Sequence, residues 1–578
     1  MLDLPRYLLG VVEILWLAGF VTLGAAAIRL RLLPGFSGPP AYLATSVIAL
    51  ALLLWSAELL GSFGLFEPVP YLVGIALVGL GIWLGVGGRQ GGPSRLLGFS
   101  PGEGVAVRGG RRGEKQDAAA REGPPYPPPG AQTLVGQGRV ATAVALGIAA
   151  LALVKFGIDV KPKLSTGMTG FDSTWYHAPF AAGFFQSGNT WDLHFIAPQF
   201  LAWFYPANAE IFHGVGMLVF DRDVLSPLLN LGWFVGCLIA CWCIGRPYRV
   251  APWSLALGAV ALSLPVLLDQ AGEARNDIVG IFFLLAAVAI AVNGASGPGP
   301  DPEKPASPGN SEDSSTIDVG PLLVAGLAAG LAAGTKLNLL LPAAVLVLGL
   351  AFLVPRGPGG RSAWRRWGAL AAGGLAALAG GGYWYLRNLA HSGNPLPWFD
   401  SLGPISLPAP DQALGGREGH SVLGYLTDGA VWSDWFLPGL HDGLTVLWPL
   451  LLALALAGLL LSLLALRDSG SAEGSGDSQP HWGSERGDRA LAVAGLTGLA
   501  AIFAWLIAPT SASGPEGMPR GFESALRYLA PALVLGLAVL PAALLPWVAW
   551  GGAPGKARRP VFRPTDSTRE RLLPWRKT

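Results

Sequence analysis

Charge is scarce in this chain. Of its 578 residues, only 13% are Asp, Glu, Lys or Arg, about half of the roughly 25% that soluble proteins carry. Hydrophobic residues make up 52% of the sequence, and the mean hydropathy is +0.47. This composition excludes an ordinary soluble domain. It predicts an all-α polytopic membrane protein, because a helix satisfies its own backbone hydrogen bonds inside lipid.

Cysteine is also scarce, which excludes a disulfide framework. The three cysteines, Cys237, Cys241 and Cys243, lie within one apolar run, where buried structural thiols are favoured over a metal site. The formal net charge of +2 gives no sign of a nucleic-acid partner. The first apolar run follows MLDLPRY without a small-residue cleavage site, so we expect a retained helix rather than a signal peptide.

Apolar runs long enough to cross a bilayer recur along the chain. A shorter run at 207–220 is ambiguous between a crossing segment and a half-inserted helix. Placing the Lys- and Arg-rich connections in the cytoplasm favours about 13 crossings, with the N-terminus outside and 207–220 not crossing. The predicted spans are 8–28, 41–61, 70–87, 138–156, 225–245, 252–268, 278–294, 320–334, 337–354, 368–389, 444–466, 490–508 and 526–549.

Composition shifts divide the chain into parts. Two polar, low-complexity segments at 295–318 and 468–488 are predicted to be disordered and cytoplasmic. The predicted parts are a three-helix membrane segment at 1–87, a cytoplasmic linker rich in Gly, Pro and Arg at 88–137, a transmembrane domain at 138–549 and a basic cytoplasmic tail at 550–578.

The conspicuous polar residues collect in the loops that this topology places outside. The first of them, 157–206, contains the polar and aromatic stretch 169–206, and loops of this length are usually functional. Several ionisable groups at one membrane face indicate a shared site. The four outer loops are 157–206, 269–277, 391–443 and 509–525.

Asp172 is the candidate catalytic base in the first outer loop. If its segment is helical, Trp175 and Tyr176 share a face with it and offer a stacking surface for a sugar ring. A carboxylate in this position can remove a proton from an acceptor hydroxyl. The alternative is that Asp172 only caps a helix.

Three cations, Lys336, Arg387 and Arg527, lie at or just inside predicted span ends. Cations at the interface suit the phosphate of a lipid carrier, since Arg can bind phosphate oxygens in a bidentate manner. The alternatives are interfacial snorkelling and, for Arg527, a helical pair with Glu523.

A divalent-metal site is a separate alternative. His177, Asp192 and His194 lie within the first outer loop, and Asp-x-His with a distant His is a weak metal-ligand spacing.

The order and spacing of several segments resemble the GT-C superfamily of integral membrane glycosyltransferases. The closer resemblance is to bacterial relatives of protein O-mannosyltransferases and lipid A aminoarabinose transferases, including the rhizobial galacturonosyltransferase-like group, and it covers roughly 138–549. The segments are FDSTWYHAPFAAGFFQSGN with FYPANAEIF, EARNDIVGIFFLLAAVAI, AGLAAGLAAGTKLNLLLPA, and YWYLRNLAHSGNPLPW with ESALRYLAPAL.

The resemblance implies a GT-C-like catalytic bundle in a cell membrane with its active site on the outer face. The implied reaction is inverting transfer of a sugar from a polyprenyl-phosphate donor to a glycan, lipid or protein acceptor, with Asp172 as general base. The chain departs from the family pattern in its three additional N-terminal spans and in lacking a second acidic residue beside Asp172. The second departure leaves open whether a divalent metal ion is needed. The predicted substrate-binding residues are Trp175, Tyr176, His177, Glu273, Asp277, Lys336, Arg387, Asn388, Arg527 and Tyr528.

Two rival functions use similar parts. One is a transporter or flippase for lipid-linked glycans, and the other is a ligase that moves a whole oligosaccharide from its carrier. A transporter places ionisable residues near the midplane of its spans. Here the predicted spans are almost free of charge, which favours the enzyme.

Overall fold

A computed structural model describes residues 3–87, 129–197, 201–296, 319–354, 361–410, 421–468, 485–509 and 514–545. Most of the predicted linkers and the whole predicted tail at 550–578 lie outside these ranges. The described residues are predominantly helical. The helices are α1 (Leu4–Leu32), α2 (Pro39–Gly61), α3 (Pro68–Ile82), α4 (Pro129–Thr166), α5 (Ala178–Ser187), α6 (Asn208–Phe220), α7 (Ser226–Gly245), α8 (Ala251–Leu262), α9 (Pro265–Leu268), α10 (Asp277–Ser296), α11 (Val319–Ala333), α12 (Leu340–Leu350), α13 (Arg361–Ser392), α14 (Gly429–Val431), α15 (Leu437–Leu444), α16 (Trp448–Asp468), α17 (Glu485–Ile507), α18 (Phe522–Ala525) and α19 (Ala530–Ala543).

Regular strand structure in the described ranges is confined to one small hairpin. β1 (Ser401–Leu402) pairs antiparallel with β2 (Ile405–Ser406), so that Leu402 lies opposite Ile405. The all-α class predicted from the apolar runs is therefore confirmed.

The part of the chain that the structure describes does not confirm the 13 predicted spans. Among the described residues, eight helices are long and apolar enough to cross a membrane, or nine if the bent pair Phe522–Tyr528 and Ala530–Ala543 is one span. The predicted spans near α8, α11 and α12 correspond to apolar helices of 10–17 residues, shorter than the roughly 20 residues that cross a hydrocarbon core. The prediction of a multi-pass membrane protein is confirmed, and the count of 13 is not.

The ambiguous run at 207–220 forms α6, a helix of 13 residues that are all buried. At 1.5 Å per residue it is about 20 Å long, less than the roughly 30 Å of a hydrocarbon core. Its length agrees with the interpretation that it does not cross.

Helix α10 lies at the centre of the bundle. Its residues from Asp277 to Val292 are all buried, and it packs against α7 and α11. A helix that is apolar all round belongs in an interior. Its first residue, Asp277, therefore lies at the end of the bundle that carries the polar loops.

Glycine allows α11 and α13 to pack at close range. A Cβ on Gly330 would lie 2.0 Å from the carbonyl oxygen of Ala377, and one on Gly326 would lie 2.4 Å from that of Gly373. Small residues at such contacts let two backbones approach within a membrane bundle. The close packing fixes the end of α11, which Lys336 follows.

The three cysteines are free and buried, as the interpretation of structural thiols expects. All three lie in α7.

Candidate functional site

The first outer loop is more helical than predicted. Helix α4 continues to Thr166, and a π-helical turn, Ser173–His177, leads directly into α5. A π-turn has i→i+5 hydrogen bonds and occurs frequently at functional sites. Here the backbone N–H of Ala178 donates to the carbonyl of Ser173.

The π-turn contains the two aromatic residues Trp175 and Tyr176, which follow Asp172 in the chain. Tyr176 is partly buried, and burial together with the negative charge of Asp172 raises its pKa well above the ordinary value. Trp175 instead packs on the exposed ring of Phe171, with ring centroids 4.7 Å apart. The ring of Trp175 also lies 6.3 Å from that of Tyr176, in an edge-to-face arrangement. The turn is π-helical rather than α-helical, and the predicted stacking surface for a sugar stays a prediction.

Asp172 forms an ion pair with Arg527, which lies 355 positions further along the chain. Only 14% of the Asp172 side chain and 11% of the Arg527 side chain are exposed. The side chain of Asp172 makes no cap hydrogen bond, so the alternative that it only caps a helix is wrong. The ion-pair partners of Arg527 among the described residues are Asp172 and Asp277, so the alternative of a helical pair with Glu523 is also wrong.

The ion pair determines the ionisation of Asp172. Burial raises the pKa of this carboxyl, but the positive charge of Arg527 and its hydrogen bond, with the charges of His177 and Arg275, outweigh burial. The pKa of Asp172 is therefore held well below its ordinary value. The carboxylate is ionised at neutral pH, and it is a weak base while Arg527 remains beside it.

A second carboxylate, Asp277, joins the same group. Asp277 pairs with Lys336, and Arg527 Nε lies 4.0 Å from Asp277 Oδ1. The ring of Tyr528 lies next to both cations, with its centroid 4.8 Å from Lys336 Nζ and 5.3 Å from Arg527 Cζ. We call Asp172, Asp277, Lys336, Arg527 and Tyr528 the charge cluster.

Glu273 contacts the first outer loop, and its predicted role in substrate binding stays a prediction. Its carboxylate accepts hydrogen bonds from Lys163 Nζ at 2.5 Å and from the backbone N–H of Thr169 at 3.2 Å. The neighbouring Ala274 N–H donates to Ser173 Oγ at 3.0 Å. Burial raises the pKa of Glu273, but its hydrogen bonds, first that from Lys163, outweigh burial and lower it. Glu273 therefore holds the first outer loop against the turn that precedes α10.

His177 is buried and pairs through Nδ1 with the carboxylate of Glu210. His194 instead contacts the carbonyl of Asn189, at 3.1 Å from Nε2. Among the described residues, no group of three His, Cys, Asp or Glu side chains could hold a metal ion. The alternative metal site at His177, Asp192 and His194 is therefore not formed.

Arg387 and Asn388 fasten the end of α13 to the segment 202–206. The guanidinium of Arg387 donates to the carbonyl of Trp203, and Asn388 Nδ2 donates to that of Phe204 at 2.8 Å. Arg387 is only 2% exposed, so the snorkelling alternative is wrong for it. Its contacts account for a structural role, and the predicted binding of Arg387 and Asn388 to a donor stays a prediction.

A small cavity lies beside Tyr176. Its lining includes Tyr205, Glu210 and Arg387. Sequence reasoning missed Glu210 and the loop-holding Lys163. The available signal for Glu210 was an acidic residue within an apolar run, which in a membrane protein marks a position with a specific partner.

The charge cluster combines segments from four parts of the chain at one end of α10. Asp172 comes from the first outer loop and Asp277 from the start of α10. Lys336 comes from the turn that follows α11, and Arg527 from the short helical turn between α18 and α19. Its two cations can bind an oxyanion, and Asp172 can accept a proton once its partner is removed. Comparison of the chain with protein-family models, with curated proteins and with solved structures found no match.

Proposed function

We propose that this protein is a membrane glycosyltransferase that moves a sugar from a polyprenyl-phosphate donor to an acceptor hydroxyl. The observation that carries the proposal is the contact of Asp172 with Arg527, which also approaches the Asp277–Lys336 pair. A candidate base and two candidate phosphate-binding cations thus lie in one place. Glycosyl transfer from a lipid phosphate needs these two kinds of group together.

The reaction follows from their chemistry. Asp172 takes the proton of the acceptor hydroxyl, and the acceptor oxygen forms a bond to the anomeric carbon of the sugar. The bond from that carbon to the donor phosphate breaks from the opposite side, which inverts the configuration. Arg527 and Lys336 stabilise the negative charge on the departing polyprenyl phosphate.

The site is proposed to open at the non-cytoplasmic face of a cell membrane. This orientation comes from the positive-inside distribution of Lys and Arg in the sequence. Asp172, Lys336 and Arg527 each retain 11–14% exposure of their side chains, which leaves the cluster within reach of a lipid phosphate at the interface.

Sugar transfer in proteoliposomes tests the proposal. Wild type, Asp172→Asn and Asp269→Asn are compared with a panel of polyprenyl-phosphate sugars, with and without a chelator. We expect transfer by wild type and by Asp269→Asn, whose carboxylate is 65% exposed and pairs with Arg275 outside the charge cluster. Transfer by Asp172→Asn is expected to fall at least 100-fold, within the range that general bases contribute.

Two results would contradict the proposal. Equal transfer by Asp172→Asn and wild type would exclude Asp172 as the base. Absence of transfer in all variants, together with movement of fluorescent lipid-linked glycans across the same vesicles, would favour the flippase. The chelator arm determines whether a divalent ion is required.

A further inference from the structure

We infer that Arg527 exchanges partners: a phosphate ester that enters the charge cluster takes this guanidinium from Asp172 and so frees the carboxylate to accept a proton. The identification of this phosphate as part of a sugar donor rests on the proposed function. The exchange itself depends on the contacts of Arg527.

The guanidinium of Arg527 has hydrogen-bonding capacity left over. One of its terminal nitrogens donates to Asp172, and the other lies 3.4 Å from the hydroxyl of Tyr528. Its buried Nε has no hydrogen-bond partner among the described residues. A guanidinium presents five N–H donors in a planar fork that matches phosphate oxygens. Arg527 can therefore bind a phosphate without a change of position in the chain.

A phosphate that binds in the charge cluster must compete with the carboxylates for the cations. Two carboxylates, Asp172 and Asp277, are paired with the two cations Lys336 and Arg527. The cluster is therefore already neutral, and an added phosphate would leave excess negative charge in a poorly solvated place. The phosphate must draw a cation from a carboxylate.

Asp172 is the carboxylate that can lose its partner. Asp277 begins the central helix α10, and only 2% of its side chain is exposed. Asp172 instead lies beside the short π-turn and is 14% exposed, so water or an acceptor hydroxyl can replace the lost hydrogen bond. Tyr528, in contact with both cations, keeps Arg527 and Lys336 adjacent during the exchange.

The exchange couples donor binding to base strength. While Arg527 lies on Asp172, its charge holds the pKa of this carboxyl well below the ordinary value. When the guanidinium moves to the phosphate, the carboxylate keeps its buried surroundings and loses its main stabilising charge, so its affinity for a proton rises. The base becomes effective only after the donor has bound.

Phosphate affinity without any transfer reaction tests the exchange. The full chain in a maltoside detergent is titrated with farnesyl phosphate and, separately, with inorganic phosphate. Because the neutral amide of Asp172→Asn no longer competes for Arg527, this variant is expected to bind farnesyl phosphate about tenfold more tightly than wild type, equivalent to about 1.4 kcal/mol. Asp172→Glu retains the charge and is expected to bind within about threefold of wild type.

Glu523→Gln is the matched control. It removes the same charge one helical turn before Arg527, from an exposed residue, and a general electrostatic effect would raise affinity in both variants. We expect Glu523→Gln to change affinity less than twofold. Asp172→Ser is a second neutral variant in case Asp172→Asn does not fold.

The outcomes separate the two proposals. Tighter binding of farnesyl phosphate by the neutral Asp172 variants supports the exchange, and the same gain with inorganic phosphate shows that the phosphate group alone is recognised. Equal or weaker binding by folded neutral variants would overturn the exchange and leave the proposed function standing. Absence of binding by every variant, wild type included, would overturn both.

Discussion

Replacing Lys336 by Met removes the main partner of the buried carboxylate Asp277 and keeps most of the side-chain volume. Breaking a buried ion pair in this way usually costs about 3–5 kcal/mol, because one charge remains buried without compensation. In this protein Arg527 Nε remains 4.0 Å from Asp277 Oδ1, and two charges at this distance attract each other by about 4 kcal/mol at an effective dielectric constant of 20.

The expected loss is therefore at the lower end of that range, about 3 kcal/mol of unfolding free energy. Asp277→Asn alone is expected to cost less, because Lys336 is 13% exposed and its ammonium can reach water. In the double variant no unpaired charge is left at this position. We expect it to recover about 2 kcal/mol relative to Lys336→Met.

Unfolding by titration with sodium dodecyl sulfate in mixed micelles measures the four proteins. The coupling energy of the double-mutant cycle reports the pair itself. A coupling energy below about 0.5 kcal/mol, the scale of an exposed surface pair, would refute the reasoning. It would mean that the two charges are hydrated and that the cluster is open to water.

Two further predictions concern pH and helix packing. Because the folded-state pKa of Asp172 is lowered, its pairing with Arg527 stabilises the protein above about pH 4, the ordinary range of an Asp carboxyl, and this contribution is lost as the pH falls toward the folded-state pKa. Thermal unfolding between pH 7 and pH 3 should therefore show a smaller acid-induced loss for Asp172→Asn than for wild type, and equal losses would contradict the ion pair. Gly330→Ala is expected to destabilise the protein by about 1–3 kcal/mol, because the new Cβ would lie 2.0 Å from the carbonyl of Ala377. Gly374→Ala, where a Cβ meets nothing within 4 Å, is the control in the same thermal assay, and an equal loss in both variants would contradict the close packing.

The fold class could be predicted from the sequence because hydrophobicity alone decides it. Long apolar runs with little charge specify membrane helices whatever their neighbours are. The number of spans could not be predicted in the same way. The runs at 252–268 and 320–334 form helices of 12 and 15 residues, and their ends depend on the turns and on packing within the bundle.

The membership of the charge cluster was also open to sequence reasoning. Asp277, Lys336 and Arg527 lie at the ends of apolar runs, and Asp172 lies in the first outer loop. The predicted topology placed all four at one face. The partners could not be predicted, since the pairing of Arg527 with Asp172 depends on the three-dimensional arrangement of four segments. Arg387 lies at a helix end, as Arg527 does. Its buried guanidinium, however, donates to a backbone carbonyl, and the sequence alone does not show this burial.

Local backbone geometry explains why the π-turn after Asp172 could not be predicted. The stretch FDSTWYH has no proline or glycine to mark an irregular helix, and the ordinary α-helical period was therefore the natural prediction. The π-turn at Ser173–His177 places His177 in contact with Glu210 in the protein interior. A single inserted residue of this kind has no clear signature in one sequence.

The most direct test of the central claim is the initial rate of sugar transfer by Asp172→Asn under saturating polyprenyl-phosphate donor. Donor binding is measured on the same preparation. The proposed function predicts that the variant still binds the donor and transfers it at least 100-fold more slowly than wild type, since its amide cannot act as a general base. Transfer at the wild-type rate, with donor bound, would contradict the assignment of Asp172 as the catalytic base.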